Sequence, residues 1–281
     1  MLGSEVARLL QGKGIPYFGT DREVDITDSR ALKAFARGKT AGWVVNCAAY
    51  TAVDKAEEES ARAFQLNAAG VRNVAEVANE NGSKLIHIST DYVFDGGKEG
   101  AYVEEDPTGP LGVYGRSKLE GERFVAGLVR PHFIIRTAWL YGKYGPNFVS
   151  TMLRLFKERR VVRVVNDQRG SPTYAADLAG ALLEVVVSDS SLFGVYHYTN
   201  AGETTWYGFA KAILGGARAL GLLDTDVDVQ PIRTDEYPTK TRRPKNSVLS
   251  KEKIARAFGL KIRNWDEALE EYLRSLAGQG G

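Results

Sequence analysis

The sequence predicts an α/β protein with a doubly wound parallel sheet and a smaller C-terminal lobe. Apolar runs without alternation, typical of strands buried on both faces, recur along the chain, and helical segments of ten or more residues separate them. The length of 281 residues corresponds to roughly two average domains. With 43% hydrophobic and 26% charged residues, the composition excludes disordered, collagen-like and disulfide-stapled chains.

Turn residues and spacing give the elements of the first half. Leucines at helical spacing predict a helix that begins near Leu2 and closes at Gly12 and Gly14. Thr27 or Asp28 is predicted to cap the next helix. Strands are predicted at 15–19, 43–49, 84–89 and 132–136, and helices at 30–37, 61–79, 117–128 and 148–159.

The pattern changes after about residue 160. We expect residues 1–160 to form a dinucleotide-binding domain and residues 161–281 mainly a substrate-binding lobe, with some segments that return to the first domain. Segment 224–248 holds three prolines and five basic residues, and is predicted to be irregular and to face the substrate. The remaining predicted elements are 161–165, 177–187, 194–199, 205–220, 251–258 and 265–276.

Charge and cysteine usage narrow the function classes. A net charge of only +2 is weak support for a nucleic-acid partner, and none is expected. Cys47 is the single cysteine, which fits a reducing cytoplasm. Three scattered histidines give no zinc motif, so no resident metal is predicted. No apolar run reaches the roughly 20 residues of a membrane span, so no membrane partner is expected.

Tyr114 and Lys118 are the strongest local signal for chemistry. Residues four apart lie on one face of a helix, and an ammonium beside a phenol lowers the tyrosine pKa toward the working range. With 13 tyrosines, such spacing also arises by chance, and Tyr207 with Lys211 forms a second pair. The first pair follows a buried strand that ends in hydroxyl and carboxyl groups, so we assign it the function and give Tyr207 a packing role.

This pair, preceded by Thr90, resembles the extended short-chain dehydrogenase/reductase superfamily. The resemblance includes Asn67-Ala68-Ala69-Gly70 in a helix and the segment 136–142, Arg-Thr-Ala-Trp-Leu-Tyr-Gly. It implies a Rossmann-like fold and an oxidoreductase that uses NADPH or NADH.

Five longer stretches are similar to the dTDP-4-dehydrorhamnose reductase family. They are residues 46–54, residues 89–96, residues 167–173, Tyr196-His197-Tyr198 with Trp206-Tyr207, and Arg243-Pro244-x-Asn246-Ser247. The resemblance covers nearly the whole chain. It implies reduction of the C4 keto group of dTDP-4-dehydro-L-rhamnose to dTDP-L-rhamnose, a step of nucleotide-sugar and cell-wall polysaccharide biosynthesis.

The resemblance also implies roles for single residues. Tyr114 would donate a proton to the sugar C4 oxygen, Lys118 would lower the Tyr114 pKa and hold the nicotinamide ribose, and Thr90 would bond the same oxygen. Asp21 favours NADH and Arg22 favours NADPH, so dual use is expected. The cofactor-binding set is Leu2, Gly3, Asp21, Arg22, Asp25, Ile26, Ala48, Ala49, Tyr50, Asn67, Ile88, Tyr114 and Lys118; the substrate-binding set is Thr90, Asp91, Tyr92, Trp139 and Arg243.

The family pattern begins with a strand and a Gly-x-x-Gly-x-x-Gly turn, of which this sequence keeps only Gly3. We therefore expect the first strand to be missing. Two alternatives stay open: a non-catalytic subunit, similar to the regulatory subunit of methionine adenosyltransferase, and an epimerase or dehydratase for another nucleotide sugar. The expected state is a monomer or a homodimer. Some relatives dimerise through a Mg²⁺ site, for which no ligands are assigned here.

Overall fold

The computed structural model describes residues 1–278. Its first half alternates helices with the strands of one parallel sheet. In chain order the elements are α1 (Leu2–Gly12), α2 (Ser29–Ala36), β1 (Trp43–Asn46), α3 (Val53–Ala56), α4 (Ser60–Phe64), a π-helix (Gln65–Gly70), α5 (Val71–Glu80), β2 (Lys84–Thr90), a 3-10 turn (Asp91–Val93), α6 (Val113–Leu128), β3 (His132–Thr137) and β4 (Leu140–Tyr141).

The second half adds short strand pairs and five longer helices. Its elements are α7 (Phe148–Glu158), β5 (Val161–Val165), β6 (Arg169–Gly170), β7 (Thr173–Tyr174), α8 (Ala175–Ser188), β8 (Gly194–His197), β9 (Thr204–Thr205), α9 (Trp206–Ala219), β10 (Asp228–Ile232), a 3-10 turn (Thr234–Glu236), α10 (Glu252–Phe258) and α11 (Trp265–Ala277).

The central sheet has the order β1-β2-β3-β8, and all neighbouring strands are parallel. Helices cover both faces, since successive strand residues enter different cores: Ile86, Phe133 and Ile135 pack with α8, and Leu85 and Ile134 pack with α5 and α6. The predicted fold class is confirmed. Because all four strands run the same way, their carboxyl ends share one edge, where ligands of doubly wound sheets bind.

A second core lies beside this sheet. It gathers aromatic and aliphatic side chains from α7, α9, α11 and the parallel pair β5–β10. Its fully buried members include Tyr141, Phe156, Phe209 and Ile213. The predicted domain boundary near residue 160 stays a prediction.

Two predicted elements are wrong. Residues 15–19 form no strand, because no strand among the described residues lies beside them, and Tyr17 and Phe18 are exposed. Segment 224–248 is only partly irregular, since it contains β10, whose residues Asp228–Ile232 pair with Val161–Val165. Other bounds shift by a few residues, as at α6, which begins at Val113 and not at residue 117.

Candidate active site

Helix α6 places two predicted catalytic residues at the carboxyl edge of the sheet. It begins directly after Gly112, so Tyr114 lies in its first turn and Lys118 follows one turn later on the same face. Gly115 allows this helix to approach the chain that leaves β2, because a Cβ there would lie 2.2 Å from the Tyr92 carbonyl oxygen. The first turn of α6 therefore packs closely against the chain that follows β2, and this close packing requires glycine at residue 115.

Lys118 is held in an unusual environment for a lysine. Its side chain is only 2% exposed, and its Nζ donates to the Ile88 carbonyl oxygen at 2.6 Å. Burial lowers the pKa of Lys118 to about 8, while Glu122 opposes the shift. Within residues 1–278 its ammonium forms no ion pair with a carboxylate. The ammonium is thus desolvated at the sheet edge with donor capacity left for another oxygen-bearing group.

Thr90 and Asp91 complete the polar end of β2. The Thr90 hydroxyl donates to the Asp91 carboxyl at 2.9 Å and accepts from the Tyr92 amide at 3.2 Å. Burial raises the pKa of Asp91 to about 7, against hydrogen bonds from Thr90 and Ser247. A buried carboxyl with a pKa near neutrality next to a hydroxyl is typical of functional sites.

The proton on Tyr114 is firmly held. Burial raises the pKa of Tyr114 to about 12, the Thr90 hydroxyl opposes this shift, and Asp91 reinforces it. Lys118 was predicted to lower the pKa of Tyr114. In the chain without bound ligands the net shift is upward, because desolvation of the phenol is the largest contribution. A phenol that stays protonated at neutral pH is the form that a proton donor needs.

Residues 48–50 follow the end of β1 and are predicted to line the cofactor groove. Ala48 is exposed and Ala49 half-buried, whereas Tyr50 is buried and its hydroxyl donates to Glu59 at 3.0 Å. Asn67 is buried, and both polar atoms of its side chain bond the main chain of Tyr50.

The other predicted cofactor-binding residues, between Leu2 and Ile26, are either buried or exposed. Ile26 is buried in the core, and Leu2 is buried where α1 begins. The others are exposed to solvent, which leaves their polar groups accessible: Gly3, Asp21, Arg22 and Asp25.

Trp139 lies at the same edge, because Thr137 ends β3 opposite Thr90. Its backbone is left-handed, with a φ of 47°. The indole stacks on Trp206 with ring centroids 3.5 Å apart, and it leaves no room for a side chain at residue 170, where a Cβ would lie 2.5 Å from the ring. The half-buried indole of Trp139 thus offers an apolar surface that is held in place in the structure, at the cost of a strained backbone. No role was predicted for Trp206, on which it stacks.

Arg243 lies in the loop that precedes α10, and this loop contacts the site. The Arg243 guanidinium donates to Asp54 at 2.8 Å. The same group acts to lower the pKa of the half-buried Tyr92, but desolvation makes the net shift of that pKa upward. Tyr92 in turn makes an edge-to-face contact with Tyr114, with centroids 5.5 Å apart. The structure therefore places Arg243, Tyr92 and Tyr114 together, and it places Trp139 just after the end of β3, the strand that pairs with β2.

Sequence reasoning missed three residues here: Ser117, Trp206 and Ser247. Ser117 bonds both Asn67 and the Tyr114 carbonyl oxygen. The Ser247 hydroxyl donates to the Arg169 carbonyl oxygen at 3.2 Å and opposes the rise in the pKa of Asp91. Trp206 belonged to a motif noted in the sequence, but its stacking on Trp139 joins positions far apart in the chain. Periodicity carries no signal for such pairs.

The region of residues 1–278 contains no group of three or more His, Cys, Asp or Glu side chains that could hold a metal ion. None of its helices is both long and apolar enough to cross a membrane.

Comparisons with known proteins agree with one another. Residues 1–277 match the RmlD substrate binding domain. The dTDP-4-dehydrorhamnose reductase of Aggregatibacter actinomycetemcomitans is 42% identical over 275 residues, covering 96% of this chain and 94% of that protein. The crystal structure of the Bacillus anthracis dTDP-4-dehydrorhamnose reductase in complex with NADP has a TM-score of 0.91 and 40% identity, covering 98% of this chain and 95% of that one. A Clostridium acetobutylicum structure of the same enzyme name has a TM-score of 0.91 and 42% identity over the same shares.

Proposed function

The chain belongs to the dTDP-4-dehydrorhamnose reductase family, and from that membership we propose that it reduces the C4 keto group of dTDP-4-dehydro-L-rhamnose with NADPH or NADH. The observation that carries the proposal is the convergence of the Thr90 hydroxyl, the Tyr114 phenol and the Lys118 ammonium at the end of β2. The product is dTDP-L-rhamnose.

The residues of this chain supply the acid half of the reduction. As the C4 carbonyl π bond breaks, Tyr114 gives its proton to the oxygen, and the carbonyl becomes a hydroxyl. The Thr90 hydroxyl bonds the same oxygen and orients it. The phenolate left on Tyr114 is stabilised by the ammonium of Lys118, which is one turn away in a dry environment. Proton transfer of this kind contributes about 10²-fold to 10⁴-fold to a rate.

The residues present fit a nicotinamide dinucleotide. Lys118 is buried, bonds only a main-chain carbonyl among the described residues, and suits the ribose hydroxyls as further acceptors. Ala48 and Ala49 leave space for a flat ligand beside the main chain of Tyr50. When bound, the nicotinamide supplies the hydride that C4 receives.

Exposed Asp21 and Arg22 are adjacent at the adenine end, where a carboxylate suits a ribose hydroxyl and a guanidinium suits a phosphate. We therefore propose that both cofactors are used. Arg243 is proposed to bind the diphosphate of the sugar nucleotide, and a cytoplasmic location and a monomer or homodimer are proposed with it.

The test is a cofactor-oxidation assay with the purified chain. Incubation with NADPH and dTDP-4-dehydro-L-rhamnose is expected to consume both in equal amounts and to form dTDP-L-rhamnose, followed by NADPH absorbance and by chromatography of the sugar nucleotide. Sugar conversion without net cofactor oxidation would indicate an epimerase instead. Cofactor binding without any turnover would indicate a non-catalytic subunit.

A further inference from the structure

A π-helix interrupts the helical run between α4 and α5. It spans Gln65–Gly70, and it is continuous with Ser60–Phe64 before it and Val71–Glu80 after it. Single π turns inside α-helices are rare and occur frequently at functional sites. Asn67 lies within this turn with its side chain fully buried, at 0% exposure.

The Asn67 carboxamide joins two parts of the site. Its Oδ1 accepts from the Tyr50 amide at 2.8 Å, and its Nδ2 donates to the Tyr50 carbonyl oxygen at 3.0 Å. The same Nδ2 donates to the Ser117 hydroxyl at 3.0 Å. One side chain thus pairs with both main-chain groups of the groove residue and with helix α6, which are 17 and 50 residues away in sequence.

The connection reaches the proton donor itself. The Ser117 hydroxyl donates to the Tyr114 carbonyl oxygen at 2.8 Å. The π turn also brings its main chain against α6, because a Cβ on Gly121 would lie 2.2 Å from the Asn67 carbonyl oxygen. Helix α6 is therefore held by a side-chain bond and by close main-chain packing, both from Asn67.

We propose that Asn67 is a positioning residue that fixes Tyr114 in register with the cofactor groove at residues 48–50. The proposal rests on the proposed reductase function, since it assigns Asn67 the task of aligning the proton donor with the hydride donor. It changes the predicted role of Asn67 from cofactor contact to support. Misplacement of a reacting group by about 1 Å costs on the order of 10²-fold in rate.

Three variants separate this role from simple stabilisation. Ser117→Ala removes the bond between Asn67 and α6 together with the bond from Ser117 to the Tyr114 carbonyl oxygen, and it leaves the bonds to Tyr50 in place. Asn67→Ala removes the bonds to α6 and to Tyr50. Asn200→Ala is the matched control, because Asn200 is also 0% exposed and its amide also bonds a main-chain group, the Tyr174 amide at 2.8 Å, and a side chain, Asp177 at 2.6 Å. Asn200 has no role in the proposed chemistry.

We expect Ser117→Ala to lower kcat about 10-fold with an unchanged Kd for NADPH, because the groove is intact. Asn67→Ala should lower kcat further, by up to about 10²-fold, and weaken NADPH binding about 10-fold. The double variant should lower kcat by less than the product of the two single effects, because each single variant already removes the shared bond between Asn67 and Ser117. Asn200→Ala should lower the melting temperature and leave kcat and the Kd for NADPH unchanged.

The proposal is overturned if Ser117→Ala keeps wild-type kcat and Asn67→Ala keeps the wild-type Kd for NADPH. It is also overturned if Asn67→Ala and Asn200→Ala behave alike, with lower melting temperatures only. If Asn67→Ala does not fold, Asn67→Asp replaces it, because the carboxylate keeps the acceptor for Tyr50 and loses both donors. Absence of turnover in the wild type would refute the reductase function, and NADPH affinity and amide exchange at Tyr50 would still test the positioning by Asn67.

Discussion

Helices α6 and α9 carry the same spacing of tyrosine and lysine, and each has its tyrosine as its second residue. In α6, Tyr114 is 9% and Lys118 2% exposed, and both lie at the carboxyl edge of the central sheet. In α9, Tyr207 is half-buried at the margin of the second core and Lys211 is exposed. The spacing is shared, so the difference lies in where each helix begins. A tyrosine and a lysine become reactive where the strand before them ends in a hydroxyl and a carboxyl and water is excluded.

Substitution of the two tyrosines should give the largest contrast. Tyr114→Phe removes the proton donor and is expected to lower kcat by about 10³-fold while the protein folds normally. Tyr207→Phe should change kcat by less than about twofold, because it removes one half-buried hydroxyl at the margin of the second core. NADPH oxidation by the two variants, with circular dichroism as the folding control, measures the contrast. Equal activities would remove the distinction between the two helices.

Substitution of the two lysines should give the next largest contrast. Lys118→Met keeps the apolar stem, removes the ammonium that stabilises the phenolate, and is expected to lower kcat by about 10²-fold. Lys211→Met alters an exposed side chain and should have no measurable effect on kcat.

The same lysine pair sets an expected pH dependence. The pKa of Lys118 is lowered to about 8, so the ammonium is lost as pH rises through that value, and the rate of sugar reduction should fall above it. The fall should persist in Lys211→Met. A wild-type rate that stays constant from neutral pH to well above the pKa of Lys118 would contradict this role.

The start of α9 also contacts a residue that is proposed to bind the substrate, Trp139. Trp206, the first residue of α9, supports the left-handed Trp139 by stacking at 3.5 Å. Trp206→Ala should raise the KM for the sugar nucleotide about 10-fold, with a smaller change in kcat and in the KM for NADPH, because a sugar-binding surface loses its support. Phe148→Leu is the control, since the Phe148 ring also packs against Trp206, with ring centroids 4.6 Å apart, and does not stack on Trp139. Equal effects on both KM values would place the defect elsewhere.

A separate expected effect concerns stability and not rate. The pKa of Asp91 rises from 3.8 to about 7 on folding, so the folded chain binds this proton more tightly than the unfolded chain does. The stabilisation is fully present below the unfolded pKa and is lost as pH rises through the folded one. Between pH 3.8 and about 7, the unfolding free energy of the wild type minus that of Asp91→Asn should fall by about 1.4 kcal/mol for each pH unit. Urea denaturation of both proteins at several pH values measures it, and a difference independent of pH would show that Asp91 is ionised when buried.

Much of the fold could be predicted from the sequence, because buried parallel strands produce unbroken apolar runs and their helices show clear periodicity. Residues 43–46 and 84–90 are examples. Segment 15–19 looks equally apolar, but a strand also needs a neighbour to pair with, and no pattern within the segment reports one. Strand β10 was missed for the opposite reason, since Pro231 and polar residues hide a short edge pairing with β5.

The site was predicted as far as local motifs reach. Thr90, Tyr114 and Lys118 follow from strand ends and helix spacing, and the structure places all three at one edge. The contacts that hold these residues in place could not be predicted from local sequence. The Asn67–Ser117 bond joins residues 50 positions apart, and the Trp139–Trp206 stack joins residues 67 positions apart. The pKa of Tyr114 also departs from the expected direction, since burial is a property of the folded chain.

In the proposed reaction, hydride passes directly from the cofactor to C4 of the sugar, and Tyr114 is the proton donor. The most direct test supplies NADPH that carries deuterium at the transferred position of the nicotinamide and examines the product by NMR and mass spectrometry. We predict one deuterium at C4 of dTDP-L-rhamnose, with the same label transfer in Tyr207→Phe and almost none in Tyr114→Phe. A labelled cofactor recovered unchanged beside a converted sugar would contradict the account, as would label transfer at the wild-type rate in Tyr114→Phe.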